Sequence, residues 1–140
     1  MATATGLATT IERGAWPALG PKLGMVSVEI DFSKLTAAEQ ADGESVQAIV
    51  FGSPVLVLAA GIEVMKEETN AATLDLGTAE DAVEFVSAQS AQTAGQMAMV
   101  GPAAPVYIAK DGGLVVSIDT AAVTDGIIRV WALVVDITEM

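Results

Sequence analysis

Side chains that perform covalent or acid–base catalysis are scarce in this sequence. None of the 140 residues is a His or a Cys. A serine nucleophile would therefore lack an imidazole to activate it, which excludes the familiar catalytic triads. Ser33 and Lys34 are adjacent, but neighbours on a strand point to opposite faces, which argues against a Ser/Lys pair.

The acidic residues offer the next candidates for chemistry. Glu67–Glu68 and Glu80–Asp81 are adjacent acids of the type that glycosidases use. Both pairs lie among polar residues with nothing apolar to raise a carboxyl pKa, so we interpret them as solvated surface acids. Asp111, Asp119 and Asp125 carry oxygen ligands for Ca²⁺, but the ligand spacing of a calcium loop is missing. The sequence therefore predicts no catalytic residue, no metal site and no bound cofactor.

Two other patterns concern binding. Gly112–Gly113 follow Asp111 as a turn signal and do not form the pattern of a phosphate-binding loop, so nucleotide binding is not predicted. Arg129 and Trp131 lie two residues apart on a predicted strand and share a face, where they could form a cation–π pair or a small recognition patch. Both types are favoured at interface hot spots, although such residues also cover the ends of cores.

The elements that must position these residues are strands. From Met25 onward apolar residues alternate with polar ones, which predicts a half-buried strand with a wet face. The buried face comprises Val26, Val28, Ile30 and Phe32, and the wet face Ser27, Glu29, Asp31 and Ser33. Thr36 and Glu39 then have the spacing of a capping box, which predicts one or two helical turns before Asp42–Gly43.

Further strands are predicted by β-rich runs between turn signals. They are Val46–Phe51, Val55–Met65, Thr73–Leu76, Ala82–Ser87, Gln96–Val100, Val106–Lys110, Leu114–Asp119 and Ile127–Thr138, with a helical turn as the alternative within Thr78–Ala91. Apolar residues on both faces of 55–58 predict a strand covered on both sides, in a sandwich core or at a subunit interface. Asp-Gly at Asp111–Gly112 predicts a β-hairpin. We expect an all-β domain over 25–140, a β-sandwich or jelly roll of about eight strands.

Residues 1–24 are expected to form an extended N-terminal arm. Pro17 and Pro21 exclude a continuing helix there. One interpretation is a disordered terminus. The other is that three apolar residues, Ile11, Trp16 and Leu19, dock onto a neighbouring subunit, since a disordered tail seldom contains such residues.

Charge and hydropathy limit the partners. Eighteen acidic against six basic residues give a formal net charge of −12, which repels the phosphates of nucleic acid and discourages contact with anionic lipid. The most apolar run, Val55–Ile62, is far shorter than the roughly 20 residues of a transmembrane helix, and no signal peptide is recognisable. We expect a soluble protein made in a cytoplasm, with no direct binding to nucleic acid or membrane.

Three segments carry a resemblance to a known class of proteins: Thr73–Val86, the run Pro105-Val-Tyr-Ile-Ala, and Gly126–Val135. Over roughly residues 71–136 the chain resembles small virion structural proteins of tailed phages, particularly phages of marine bacteria and cyanobacteria. The resemblance implies a β-sandwich or jelly roll that decorates the capsid as a cement subunit, often trimeric, or that belongs to head fibres or tail parts. It implies no active site.

The expected function is thus that of a non-enzymatic virion protein. We expect a capsid decoration protein on the capsid surface, made in the host cytoplasm, that forms a homo-oligomer with a trimer favoured and binds major capsid subunits. A head-fibre or tail component is the first alternative. A carbohydrate-binding or cupin-like module is the second, although cupins need histidine ligands and only Trp16, Tyr107 and Trp131 offer a sugar platform.

Overall fold

The computed structural model describes residues 22–95, 97–99 and 105–137. Within them the chain is almost entirely strand, as predicted, with one short 3₁₀ turn at Phe32–Lys34 and one helical turn, α1, at Ala37–Gln40. The strands are β1 Lys22–Asp31, β2 Ser45–Val50, β3 Val55–Lys66, β4 Thr73–Gly77, β5 Val86–Ser90, β6 Met97–Met99, β7 Val106–Ile108, β8 Gly113–Asp119 and β9 Ile127–Asp136.

The strands form two antiparallel sheets. Sheet A has the order β1-β9-β3-β6, with β7 also paired to β3, and sheet B has the order β2-β8-β4-β5. Because β6 and β7 pair with different stretches of β3, they fill one strand position between them. The eight resulting positions, with the chain repeatedly crossing between sheets, have the arrangement of a jelly roll. The predicted fold class is confirmed.

The core lies between the two sheets. Alternate residues of β1, β8 and β9 point inward, so Val26 and Ile30 of β1 are buried, as the period of two predicts. Three phenylalanines supply the largest buried side chains, and aliphatic residues fill the remaining space. They are Phe32, Phe51 and Phe85. No disulfide contributes, since the chain has no Cys.

The capping box after β1 is confirmed. The hydroxyl of Thr36 accepts a hydrogen bond from the backbone N–H of Glu39, and the Glu39 carboxylate accepts one from the backbone N–H of Thr36. Two orphan N–H groups of a very short helix are thereby satisfied. Gly43 follows with a φ of +86°, a left-handed conformation that glycine adopts at little cost.

The predicted hairpin at Asp111–Gly112 is wrong. The strand before it, β7, belongs to sheet A, whereas β8 after it belongs to sheet B, so the turn is an arch between sheets. Its backbone pairs with Phe51, which accepts from the Asp111 N–H and donates to the Gly112 carbonyl, both at 2.8 Å. The Asp-Gly signal located a turn, with Asp111 at φ +70°, but the strand partners were set by distant residues.

Two strand boundaries also differ from the prediction. The strand expected at Ala82–Ser87 is instead a turn followed by β5, because the Asp81 carboxylate accepts from the Val83 N–H and holds a local bend. The first strand begins at Lys22, three residues before the predicted start at Met25. Ile11, Trp16 and Leu19 lie outside the described residues. In the described part of the chain no helix is long and apolar enough to span a membrane.

Candidate functional site

The outward side of sheet A is apolar at one end of the sheet, the end where β1 begins and β9 finishes. Strand register places three cross-strand rows there, because directly paired residues project to the same side of a sheet. The rows are Leu23–Val135–Leu56–Tyr107, Met25–Leu133–Ala59 and Ser27–Trp131–Gly61. We call this surface, together with the bulge residue Leu58, the apolar face.

Exposure confirms that this face is open to solvent. Five large apolar side chains of the described residues are exposed, and four of them belong to strands of sheet A. Three of these four lie on the apolar face: Met25 (48% exposed), Leu58 (37%) and Tyr107 (59%). Met65 (40%) lies at the other end of β3, and the fifth, Val83 (48%), lies in the turn before β5. Clustered exposed apolar residues are a sign of an interaction surface, while scattered ones are ordinary.

The outward side of sheet B is different. Its cross-strand rows include Ser45–Ser117–Asp75 and Gln47–Val115–Gly77, with Thr73 opposite Asp119. Small and polar residues therefore cover this second surface, and the two outer sides of the sandwich differ in chemistry. The apolar residues at 55–58 were predicted to be covered on both faces, in a sandwich core or at a subunit interface. Within the single chain Leu58 is exposed and Leu56 is half-buried, so the sandwich core does not cover both faces.

Arg129 and Trp131 share a face, as predicted, and lie at the border of the apolar face. They line a shallow depression of about 380 Å³ together with Met25, Ser27 and Glu63. The next row along the strands is Glu29–Arg129–Glu63, and the Arg129 Nη1 lies 3.4 Å from the Glu63 Oε1. Arg129 is thus ion-paired to a carboxylate. A charged row closes one end of an otherwise apolar surface.

The indole of Trp131 carries a polar atom that is shielded from water. Its Nε1 is buried and donates no hydrogen bond to any residue that the structure describes. A buried donor without an acceptor costs about 1–3 kcal/mol.

A loop clip holds the strand that carries Arg129 and Trp131. The Glu68 carboxylate, 2% exposed, accepts from the backbone N–H groups of Thr124, Asp125 and Gly126 at 3.0–3.4 Å, and from the Thr124 hydroxyl at 3.2 Å. These residues immediately precede β9. The expectation that Glu67–Glu68 are solvated is therefore wrong for Glu68, because a loop 56 residues away supplies its donors.

A second carboxylate completes the clip. Asp125 accepts from the Thr69 hydroxyl at 2.6 Å and from the Thr69 N–H at 3.0 Å. These hydrogen bonds stabilise the ionised form and lower the pKa of Asp125 to about 2. Glu68 of the β3–β4 loop thus binds the loop before β9, and Asp125 of that second loop binds the β3–β4 loop. Both acids have structural partners that account for their placement.

The remaining sequence candidates do not converge on a reactive centre. In the described ranges, no group of three or more acidic side chains is close enough to hold a metal ion. Glu80 and Asp111 are exposed, and both line a cleft of about 410 Å³ between β7 and the outer side of sheet B. Glu84 has a raised pKa because it shares a hydrogen bond with Asp81, in an exposed turn with no nucleophile beside it.

Sequence reasoning found part of the apolar face and missed the rest. The pair of Arg129 and Trp131 was found from its spacing of two. Leu23, Met25, Leu133 and Val135 were missed as a surface, because they meet only through the register of β1 with β9. The detectable signal was that Leu23 and Met25 continue the predicted wet face of β1 with apolar residues.

Comparison with known proteins gives a match in structure only. No family model and no curated protein sequence matches the chain. The fold is similar to a chain in the cyanophage Pam1 capsid asymmetric unit, with 22% identity, a TM-score of 0.54, and coverage of 88% of this chain and 92% of that one. It is also similar to a chain in the capsid of Ralstonia phage GP4, with 15% identity, a TM-score of 0.59, and coverage of 86% and 88%.

A third solved structure shares the fold. It is the acid-stable capsid of Helicobacter pylori bacteriophage KHP30, with 12% identity, a TM-score of 0.53, and coverage of 79% of this chain and 86% of that chain. At these identities the likeness establishes a common fold. All three neighbours come from phage capsid structures, so the resemblance to phage virion proteins that the sequence suggested is confirmed at the level of the fold.

Proposed function

We propose that this chain is a non-enzymatic structural protein of a phage virion, and within the virion a capsid decoration (cement) protein. It would form a homo-oligomer, with a trimer favoured, and stabilise the head by binding major capsid subunits on the shell surface. The fold shared with chains of three phage capsids supports the virion assignment. The apolar face is the observation that carries the adhesive role.

The chemistry of the apolar face suits adhesion. Its centre offers aliphatic and aromatic side chains that gain free energy when removed from water, at roughly 25 cal/mol per Å². The row Glu29–Arg129–Glu63 at its border adds charges that orient a partner. With a net charge of −12, the chain favours a basic surface on that partner. The adhesive role needs no catalytic group: Arg129 and Glu63 form an ion pair, and Glu68 and Asp125 hold loops.

The proposal is tested by binding to shells assembled without this protein. Met25→Glu places a charge in the middle row of the apolar face, and Val83→Glu is the matched control, because both side chains are 48% exposed. We expect Met25→Glu to weaken co-sedimentation with shells at least tenfold and Val83→Glu to leave it within twofold. Equal thermal midpoints would show that both variants are folded. If the unsubstituted protein does not bind shells at micromolar concentration, the decoration role is wrong.

The position on the particle needs its own measurement. A head-fibre or tail component would have the same fold and the same absence of catalytic groups. Labelled antibody against the protein, imaged on intact virions, separates these locations. Label over the whole head supports decoration, whereas label at one vertex or along the tail contradicts it.

A carbohydrate-binding role is the second candidate, supported by the exposure of Tyr107. This side chain is 59% exposed and lines the cleft of about 410 Å³ with Gln47, Glu80 and Asp111. An aromatic ring beside amide and carboxylate groups is a common way to bind sugars. A glycan array tests this directly, with Tyr107→Ala as the variant that should lose any signal. Absence of binding on the array excludes this candidate for the glycans displayed.

A further inference from the structure

The apolar face needs an occupant, and charge restricts what this can be. A second body is a poor choice, because two bodies that each carry a large negative net charge repel one another. Residues 1–21 contain one acid and one base, Glu12 and Arg13, and so have no net charge. The whole net charge of −12 therefore belongs to 22–140. The N-terminal segment of another copy, being neutral, can therefore approach the acidic body without net electrostatic repulsion.

The composition of this segment matches the surface. It contains Leu7, Ile11, Trp16 and Leu19, which suit contact with the aliphatic side chains of the apolar face. A segment that crosses the face in extended form would place carbonyl groups along the row Ser27–Trp131–Gly61.

Length and direction favour a neighbouring copy over the same chain. Twenty-one extended residues reach about 70 Å, several times the roughly 20 Å width of a sheet with four or five strands. The residue before a proline is biased towards extended conformations, and this applies at Trp16 and Gly20. Since β1 begins at Lys22, at the end of the sheet where the apolar rows lie, an extended continuation leads away from its own sheet.

We propose that residues 1–21 of one copy lie across the apolar face of a neighbouring copy. The inference rests on the homo-oligomer proposed above and gives its physical mechanism. Exchange of a neutral, apolar segment links copies whose bodies repel one another. It also predicts which residues make the contact: Ile11, Trp16 and Leu19 on one side, and Met25, Leu58 and Trp131 on the other.

The absence of native Cys allows a clean cross-linking test. Full-length Ala18→Cys, with its thiol beside Trp16, is mixed with full-length Leu58→Cys and oxidised. Asp119→Cys is the control partner, since Asp119 is exposed on the outer side of sheet B. We expect at least ten times more disulfide-linked dimer with Leu58→Cys than with Asp119→Cys. Tyr107→Cys serves as a second position on the face if Leu58→Cys does not fold.

A chain with both Ala18→Cys and Leu58→Cys separates the two possible origins of the segment. Dilution with a hundredfold excess of unsubstituted chain abolishes the disulfide if the segment comes from a neighbour. Persistence of an intramolecular disulfide would overturn the proposal, because the segment would then cover its own body. Equal yields with the face and the control would also overturn it.

Fluorescence gives a measurement that needs no cross-link. Trp16→Phe leaves Trp131 as the single indole, because the chain has two Trp. We expect its emission to shift to the blue as concentration rises through the association midpoint seen by light scattering. An oligomer without this shift, and without the disulfide, would refute the segment exchange while leaving the homo-oligomer intact. A monomer at all concentrations would refute both.

Discussion

Replacing Glu68 tests whether the loop clip holds the end of sheet A. The Glu68→Ala variant removes the acceptor of three backbone N–H groups. The N–H of Gly126 is buried, so its loss costs about 1–3 kcal/mol, while the half-buried N–H groups of Thr124 and Asp125 can turn to water and lose about 0.5–1 kcal/mol each. We expect the free energy of unfolding to fall by about 2–5 kcal/mol.

Denaturant unfolding followed by tryptophan emission measures this change. For a domain of this size it corresponds to a midpoint lowered by roughly 6–15 °C in a thermal scan. Glu67→Ala is the matched control, because Glu67 is the exposed neighbour and should change stability by less than about 0.5 kcal/mol. If Glu68→Ala and Glu67→Ala unfold at the same denaturant concentration, the hydrogen bonds to the loop do not stabilise the fold and the reasoning is wrong.

Three further perturbations test other contacts. The pKa of Asp125 in the folded state, about 2, lies below its value in the unfolded state. The stabilising contribution of Asp125 is therefore present above pH 4 and is lost as pH falls towards 2. Asp125→Asn should flatten that part of a plot of thermal midpoint against pH. Ala88 has a φ of +53°, so Ala88→Gly should raise stability by about 0.5–1 kcal/mol, whereas Ala71→Gly, at a negative φ, should lower it. Gly113→Ala would press a methyl group onto the backbone carbonyl of Ile49, so calorimetry should show a loss above about 3 kcal/mol; an unchanged midpoint would contradict the close pairing of β2 with β8.

Local rules predicted the elements of this fold well. Alternation of apolar and polar residues is decided by neighbours two positions apart, so the buried side of β1 could be read directly from Val26 and Ile30. The capping box depends on residues three positions apart, so Thr36 and Glu39 were equally readable. Each of these features is complete within a few residues of chain.

Features that depend on distant residues were beyond such rules. The Asp111–Gly112 turn was placed correctly, but its role as an arch depends on the backbone of Phe51, about 60 residues earlier. The burial of Glu68 depends on Thr124 and Gly126. In both cases the local residues are those of an ordinary surface turn, and the partner that changes their environment is brought there by the crossing of strands between sheets.

The fold requires an apolar core, but it does not require an apolar outer face. A jelly roll must bury the inner sides of its two sheets, so Val26, Val130 and Ile62 follow from the fold itself. Nothing in that requirement fixes the outer sides, as the polar outer side of sheet B demonstrates. Leu23, Met25, Leu133 and Val135, on two adjacent rows, therefore add no stability that an isolated domain needs, and the exposure of Met25 lowers its solubility.

The charged row sets a limit on how that surface can be used. Glu29, Arg129 and Glu63 close the face at one end, where any apolar partner would have to desolvate an ion pair. At the opposite end the face continues to Leu23 and the start of β1 without an intervening charge. A partner is therefore favoured to cover the face from the end where β1 begins, and its apolar contacts are expected to end at Arg129. Because β1 begins at Lys22 at that same end, the proposed exchange requires the neutral segment of a neighbouring copy to enter the face there.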